Sequence, residues 1–443
     1  MDQFVQEVRP ISTGAPLDEV RRDLLRPLES IGPRYRAAIA ICGALVLWAG
    51  FAWAYQIVNG IGVVGKRRPV FWAFYIVSFV FWIGISHAGT LISAILRLTG
   101  AAWRKPVTRA AEAITVFALM IGGMFPLIHL GRVWVFYWLI PYPNERLLWP
   151  NFRSPLLWDL TAIFTYMSGS ILYLYLPLIP DLALLSSRSR GFRRRTYGLL
   201  SLGWQGGSRE WHALERAMKL LAAIILAVAV SVHTVVSWDF AMAITPTWHS
   251  TIFGPYFVAG AIFSGIAALV LVMAALRRFL HLEAYLREVH FNNLGKLLLL
   301  MSLVWGYFAA AEHLTIWYGK QPAEYAVLEA RIYGEFAPYF WAMVTLNFIV
   351  PFVLLGIRRL RTIRNIVICG VTVLAGMWLE RYLIVVGVLS RPRLPAAWGV
   401  YAPSWVEVSI AAGTFAGMVL LYLLFAKLFP VIAIWEYDDV AHG

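Results

Sequence analysis

Cysteine is nearly absent from this chain of 443 residues: only Cys42 and Cys369 occur, and neither sits in a CxxC or CxxCH pattern. Two isolated thiols cannot ligate an iron–sulfur cluster or attach a haem, so any such centre belongs to another chain. Histidines recur without HxxxH or ExxH spacing, which argues against a metal site, and they fall one per apolar run, which argues against stacked transmembrane haems. Charge is also scarce, at 14% of residues, against roughly 25% in soluble domains. The first 35 residues contain no apolar run and are interrupted by Pro10, Pro16, Pro27 and Pro33. They read as an exposed arm, residues 1–36, rather than a cleavable signal.

Apolar residues fill the space left by charge. The hydrophobic fraction is 60% and the mean hydropathy is +0.68, beyond what a water-soluble domain can bury. About ten apolar runs are long enough to cross roughly 30 Å of hydrocarbon at 1.5 Å per residue. They cover 37–58, 71–96, 107–130, 156–179, 214–236, 252–276, 294–317, 336–357, 363–386 and 406–429. No run alternates as a barrel strand would, and lipid forbids open sheet edges. The expected fold is an all-α polytopic membrane protein whose transmembrane domain covers 37–429, followed by a tail, 430–443.

A faint repeat supports a finer arrangement. The third run ends IHLGRVW and the seventh EHLTIWYG, so His129 and His313 match, while His233 and Arg381 lie at similar depths in the fifth and ninth. Two four-helix bundles, about 71–236 and 252–386, with one flanking helix each, would produce this pattern.

The net charge of +14 does not indicate nucleic acid, because the basic residues sit in short links between runs. The arm and one set of alternate links hold Arg9, Arg21, Arg22, Arg26, Arg34 and Arg36, then Arg97, Arg104 and Lys105, the five arginines from Arg188 to Arg195 with Arg209, then Arg277, Arg278, Arg287 and Lys296, and the four arginines from Arg358 to Arg364; the other set holds fewer than half as many. This asymmetry places both termini in the cytoplasm and the link after Leu130 outside.

Ionisable groups within the runs carry the functional signal, since each costs at least ~2.5 kcal/mol at a helix centre for Asp, Arg or Lys. The stretch FPLIHLGRVWVFYWLIPYPNERLLWPNFRSPLLWD, from Phe125 to Asp159, brings His129 and Asp159 to one depth across an aromatic link. Glu312, His313, His233, Asp239, Glu380 and Arg381 also fall in the outer third by counting. His87 lies deeper, among the small residues Gly84, Ser86, Ala88 and Gly89, with Glu112 near the cytoplasmic start of the third run. Structural readings stand beside these. Asp159 can serve a helix N-terminus after Pro155, His129, His233 and His87 can be satisfied interior histidines, and Arg381 can pair locally with Glu380 or snorkel outward. Trp134, Trp138, Trp149 and Trp158 suit an interfacial belt as well as a pocket wall.

The stretches GISHAGTLISAILRLTGAAWRKP, FPLIHLGRVW, NFRSPLLWD and SVHTVVSWDFAM, with the ten-run layout, resemble the NrfD or polysulfide-reductase membrane-subunit family. The likeness covers about residues 37–429 and is greatest to the quinol-binding NrfD-like subunit of bacterial alternative complex III. It implies a multi-pass subunit of the bacterial cytoplasmic membrane that binds quinol, menaquinol or ubiquinol, near the periplasmic face. The matching positions are His129, Asp159, Asp239 and Arg381. It further implies an iron–sulfur partner on the periplasmic side, multihaem or other c-type cytochromes, a second NrfD-like subunit and surrounding lipid. A proton path through His87, Glu112, His233, Glu312, His313 and Glu380 belongs to the same expectation.

Quinol oxidation releases two electrons and two protons, so it needs a base at the hydroxyl and an acceptor nearby. His129 suits the first proton, with Asp159 orienting it or taking the second. Two rivals remain open on the residues alone: a secondary transporter, and an NrfD-like anchor without a working quinone site.

Overall fold

The computed structural model describes residues 17–29, 31–65, 70, 72–140 and 152–437. Trp149, and the portions of the arm before residue 17 and of the tail after residue 437, lie outside them. Among the described residues the protein is all-α, with ten helices long and apolar enough to cross a membrane. In chain order the helices are α1 (Leu17–Glu29), α2 (Pro33–Asn59), α3 (Ala73–Leu98), α4 (Thr108–Gly122), α5 (Phe125–His129), α6 (Pro155–Tyr175), α7 (Ile179–Arg188), α8 (Gly191–Leu200), α9 (Ser208–Ala241) and α10 (Phe253–Phe279). They continue as α11 (Glu288–Gly319), α12 (Pro322–Ile332), α13 (Ala337–Val344), α14 (Val350–Gly356), α15 (Ile363–Tyr382) and α16 (Trp405–Leu428).

Lipid is a solvent for apolar side chains, so burial separates central from peripheral helices. In α3, 88% of the apolar stretch is buried, against 6% in α2. The centre is the α3–α10 contact: α3 also packs on α4, α9 and α15, and α10 on α9, α11 and α15. Helix α2 lies outside, against α16. Close approach at the centre depends on Gly89, where a Cβ would stand 2.0 Å from the Ala111 carbonyl oxygen of α4. Small residues permit such approach where no hydrophobic force drives helices together.

Two expected runs are not single helices. The third is divided at Gly123–Met124, and α5 restarts with Pro126 in its first turn, where a missing N–H costs nothing. The fourth continues past Tyr175 through a 3₁₀ turn, Leu176–Leu178, into α7. Two π-helical segments, Thr345–Ile349 and Leu383–Gly387, interrupt the eighth and ninth spans. Carbonyls in these segments take side-chain donors: Trp248 Nε1 donates to Ile384 O at 2.8 Å and Ser302 Oγ to Asn347 O at 2.7 Å.

The arginine-rich side is closed by both ends of the chain. Helix α1 buries Val20, Leu24 and Leu25, and residues after α16 return under the bundle, burying Ile432, Ile434 and Trp435. An interior ion pair holds that return: Arg109 Nη1 donates to Asp181 Oδ2 at 2.5 Å, both side chains being 1% exposed. Arg109 also donates to the carbonyls of Pro177, Pro430 and Ile432. The backbone N–H groups of Ile434 and Trp435 donate to the Asp181 carboxylate. Next to it, Glu436 accepts from Arg104 at 2.5 Å and lies 3.6 Å from Arg97.

Candidate functional site

Polar side chains that the spans carry inward gather in four places. On the arginine-poor side, His129 ends α5, its ring hydrogen-bonded to the Phe125 carbonyl and tilted against Trp72 at 5.5 Å between centroids. Trp72 adopts φ 52°, a left-handed conformation unusual outside glycine, in turning the chain into α3. Beneath the histidine, Gln56 Nε2 donates to Ile128 O at 2.7 Å and Tyr75 Oη donates to Gln56 Oε1 at 2.5 Å. Gln56 and Tyr75 are fully buried, so this chain of bonds fixes the end of α5 from two other helices.

Asp159 does not pair with His129. It is hydrogen-bonded to Asp239, from the far end of antiparallel α9, and Oδ1 of each is buried without a partner. The two helices contribute the same dipeptide, Trp158-Asp159 and Trp238-Asp239. The indoles meet edge to face at 6.0 Å beside the carboxyl contact. Two carboxylates are acceptors only, so a bond between them requires a proton on one. Trp158 Nε1 donates to Phe152 O at 2.7 Å, which links the pair to the chain entering α6.

The third group lies deeper. His87 on α3 stacks on Tyr166 of α6 at 4.7 Å and meets His233 of α9 at 4.5 Å. One His87 nitrogen, Nδ1, is bonded to Ile83 O at 2.6 Å; its Nε2 and both nitrogens of His233 are buried with no partner. Thr115 and Tyr166 both donate to the Ser86 carbonyl, at 2.7 and 3.1 Å. Arg381 reaches this level from α15, 5.3 Å over the ring of Phe257, which also contacts His233. Its guanidinium occupies the space left by Gly260, where a Cβ would come within 2.9 Å of Nη2.

Arg381 forms an ion pair with its neighbour Glu380, and Glu380 accepts from Trp305 Nε1 at 2.5 Å. One turn further toward the arginine-poor side, Glu312 lies 3.4 Å from Arg331 and 3.9 Å from His313. The fourth group is near the arginine-rich side: Glu112 accepts from Ser93 at 2.6 Å, and Tyr173 and Arg97 adjoin it. His87 and Glu112, expected on one proton path, belong to different groups. Among the described residues no hydrogen bond or ion pair joins His129 to Asp159, or Arg381 to either aspartate, and no three His, Cys, Asp or Glu converge as metal ligands.

Several contributors escaped the sequence reading. Gln56, Tyr75, Tyr166, Tyr173 and Trp305 are ordinary in apolar runs; the only available signal was the seven-residue interval of Tyr166 and Tyr173, which puts both on one face of α6. Glu407, fully buried, accepts from Tyr401 at 2.6 Å and from the backbone N–H groups of Gly65 and Ser404 at 2.8 Å. Burial, then the Glu407 carboxylate, push the Tyr401 phenol above its ordinary range and keep it a donor. The S-x-x-E spacing of a capping box was the legible part of that arrangement.

A family model described as "Polysulphide reductase, NrfD" matches residues 62–392, from the chain before α3 to just beyond the second π segment. The chain belongs to the NrfD polysulphide reductase family. Apart from Gln56, the residues of the four polar groups lie within the matched region. Two relatives extend across nearly the full length. A putative dimethyl sulfoxide reductase membrane subunit from Halobacterium salinarum is 28% identical over 435 residues, covering 93% of this chain and 94% of its own. A selenate reductase subunit from Mesobacillus selenatarsenatis is 23% identical over 422 residues, covering 91% and 95%.

Proposed function

We propose that this chain is the quinol-binding membrane subunit of a respiratory oxidoreductase complex, oxidising quinol at its arginine-poor side and passing electrons to a redox partner. The observation that carries the proposal is the Asp159–Asp239 contact, two carboxyls held against each other under paired indoles. A structural role would place a cation there, whereas a proton acceptor needs a group that can hold or release H⁺. Asp159 and Asp239 take one quinol proton, His129 the other, and Arg381 supplies positive potential behind the site. The quinone itself provides the two-electron chemistry.

The relatives' names support a reductase as the electron acceptor, with an iron–sulfur subunit as the intermediary. An alternative complex III type of assembly would instead add c-type cytochromes and a second NrfD-like chain. Under the same proposal, Glu312, His313, Glu380, His233, His87 and Glu112 form a proton path across the two groups of helices. The arginine-poor side faces the periplasm and both termini the cytoplasm, in a bacterial cytoplasmic membrane.

The test is quinol-dependent reduction of partner redox centres in the purified complex, comparing wild type with Asp159→Asn and His129→Leu at equal assembly. Turnover falls by about a hundredfold or more for the aspartate if it accepts the proton. Unchanged turnover in both variants would transfer the chain to the anchor reading. The proteins that co-purify decide between the reductase and cytochrome forms.

A further inference from the structure

The arginine-rich side contains a cavity of about 310 Å³ between the end of α3 and the beginning of α9. Arg97, Arg104, Lys105 and Lys219 line it, with Glu215 as the acidic member of the wall. Glu436 stands behind Arg97 and Arg104, accepting from Arg104 at 2.5 Å. Glu112, on the interior side of Arg97, is engaged by Ser93. Setting Glu112, Glu215 and Glu436 against the four cations leaves one positive charge in excess around the cavity. Lys105 donates to the Glu436 backbone carbonyl at 2.6 Å, a neutral acceptor that leaves its charge uncompensated.

The framing helices change character toward the membrane centre. Ile95 and Leu98, in the last turn of α3, are 44% and 45% exposed; Leu220 and Ile224, just after Lys219 on α9, are 62% and 49% exposed. A cationic recess thus opens directly above uncovered apolar surface at the end of the spans. A free inorganic anion would use only the upper half of this arrangement. A molecule with a phosphate head and hydrocarbon tails would use both.

We infer that this recess binds the phosphate group of an anionic membrane phospholipid, whose acyl chains lie along Ile95 and Leu98 on α3 and Leu220 and Ile224 on α9. Arg104 and Lys219, on opposite walls, hold the phosphate from two elements. The lipid closes a gap between two helices whose tips, among the described residues, are joined by no ion pair across the recess. Nothing in this inference depends on quinol chemistry.

Native mass spectrometry of the purified complex tests it, after exchange into detergent containing equal phosphatidylglycerol and phosphatidylcholine. Wild type retains phosphatidylglycerol preferentially, and Lys219→Gln weakens that retention about fivefold, the effect of one juxtamembrane charge. Lys219 is exposed, so the variant folds. Arg188→Gln, which removes an equal charge from an exposed position on the same side, leaves retention unchanged. Equal retention of phosphatidylcholine, or equal loss in Arg188→Gln, overturns the site as a specific one. Displacement of the lipid by excess inorganic phosphate overturns the lipid assignment in favour of a free anion.

Discussion

Two buried carboxyl groups, Asp181 and Asp159, receive opposite treatment. Asp181 faces Arg109 at 2.5 Å and accepts two backbone N–H groups. Asp159 faces another acid, and an oxygen on each carboxyl has no partner. The first arrangement balances charge and fills hydrogen-bonding capacity, as a fold requires. The second does neither, and it persists on antiparallel helices otherwise well packed. Stability explains Asp181; the function proposed above gives Asp159 a use for its proton.

The contrast breaks most severely at the ion pair. Arg109→Met leaves Asp181 charged in the interior and is expected to cost about 3–5 kcal/mol, read as loss of folded protein in thermal melts, with turnover per folded molecule unchanged. Adding Asp181→Leu restores only part of this, because Ile434 and Trp435 then lose their acceptor. At the acid pair the expected pattern reverses. Asp159→Asn and Asp239→Asn each reduce quinol turnover about a hundredfold with little change in melting temperature. If the pair works as one proton holder, the double variant is no slower than either single; multiplicative losses in steady-state kinetics would mean two independent groups.

Smaller effects sharpen the comparison through the scaffold. Gly89→Ala pushes a methyl into the Ala111 carbonyl and is expected to cost about 1–3 kcal/mol. It should also loosen the His87–His233 contact, since His87 lies on the same helix two residues away. Retained stability would show that α3 and α4 can separate freely. Ser404→Ala removes the capping hydroxyl of α16 and costs about 1 kcal/mol, detectable as a small fall in melting temperature. The Glu407 side of that box, with its three donors, stays in place.

Span positions were legible because apolar length and the expense of buried charge are properties of single segments. Depth was legible only in part: counting set His233 in the outer third and His87 deeper, yet their rings meet at 4.5 Å. Partnership was not legible, because counting gives depth along the membrane normal and says nothing of rotation about a helix axis. His129 and Asp159 share a link yet sit in different contacts, while Asp159 and Asp239 share none and touch. The paired Trp-Asp dipeptides were visible in the sequence, but only antiparallel packing of α6 on α9 gives their repetition meaning. Arg109 and Asp181 went unread because each sits at the end of a run, where a charge at the interface needs no partner. What buries them is the returning segment, whose residues resemble any short tail.

That returning segment has a consequence for biosynthesis. Residues 430–437 are translated after every span, yet they supply the carbonyls for Arg109, the amides for Asp181 and the carboxylate for Arg97 and Arg104. Insertion of all ten helices therefore precedes completion of the fold. During that interval the arginine-rich end of the bundle lacks the latch that residues 430–437 supply.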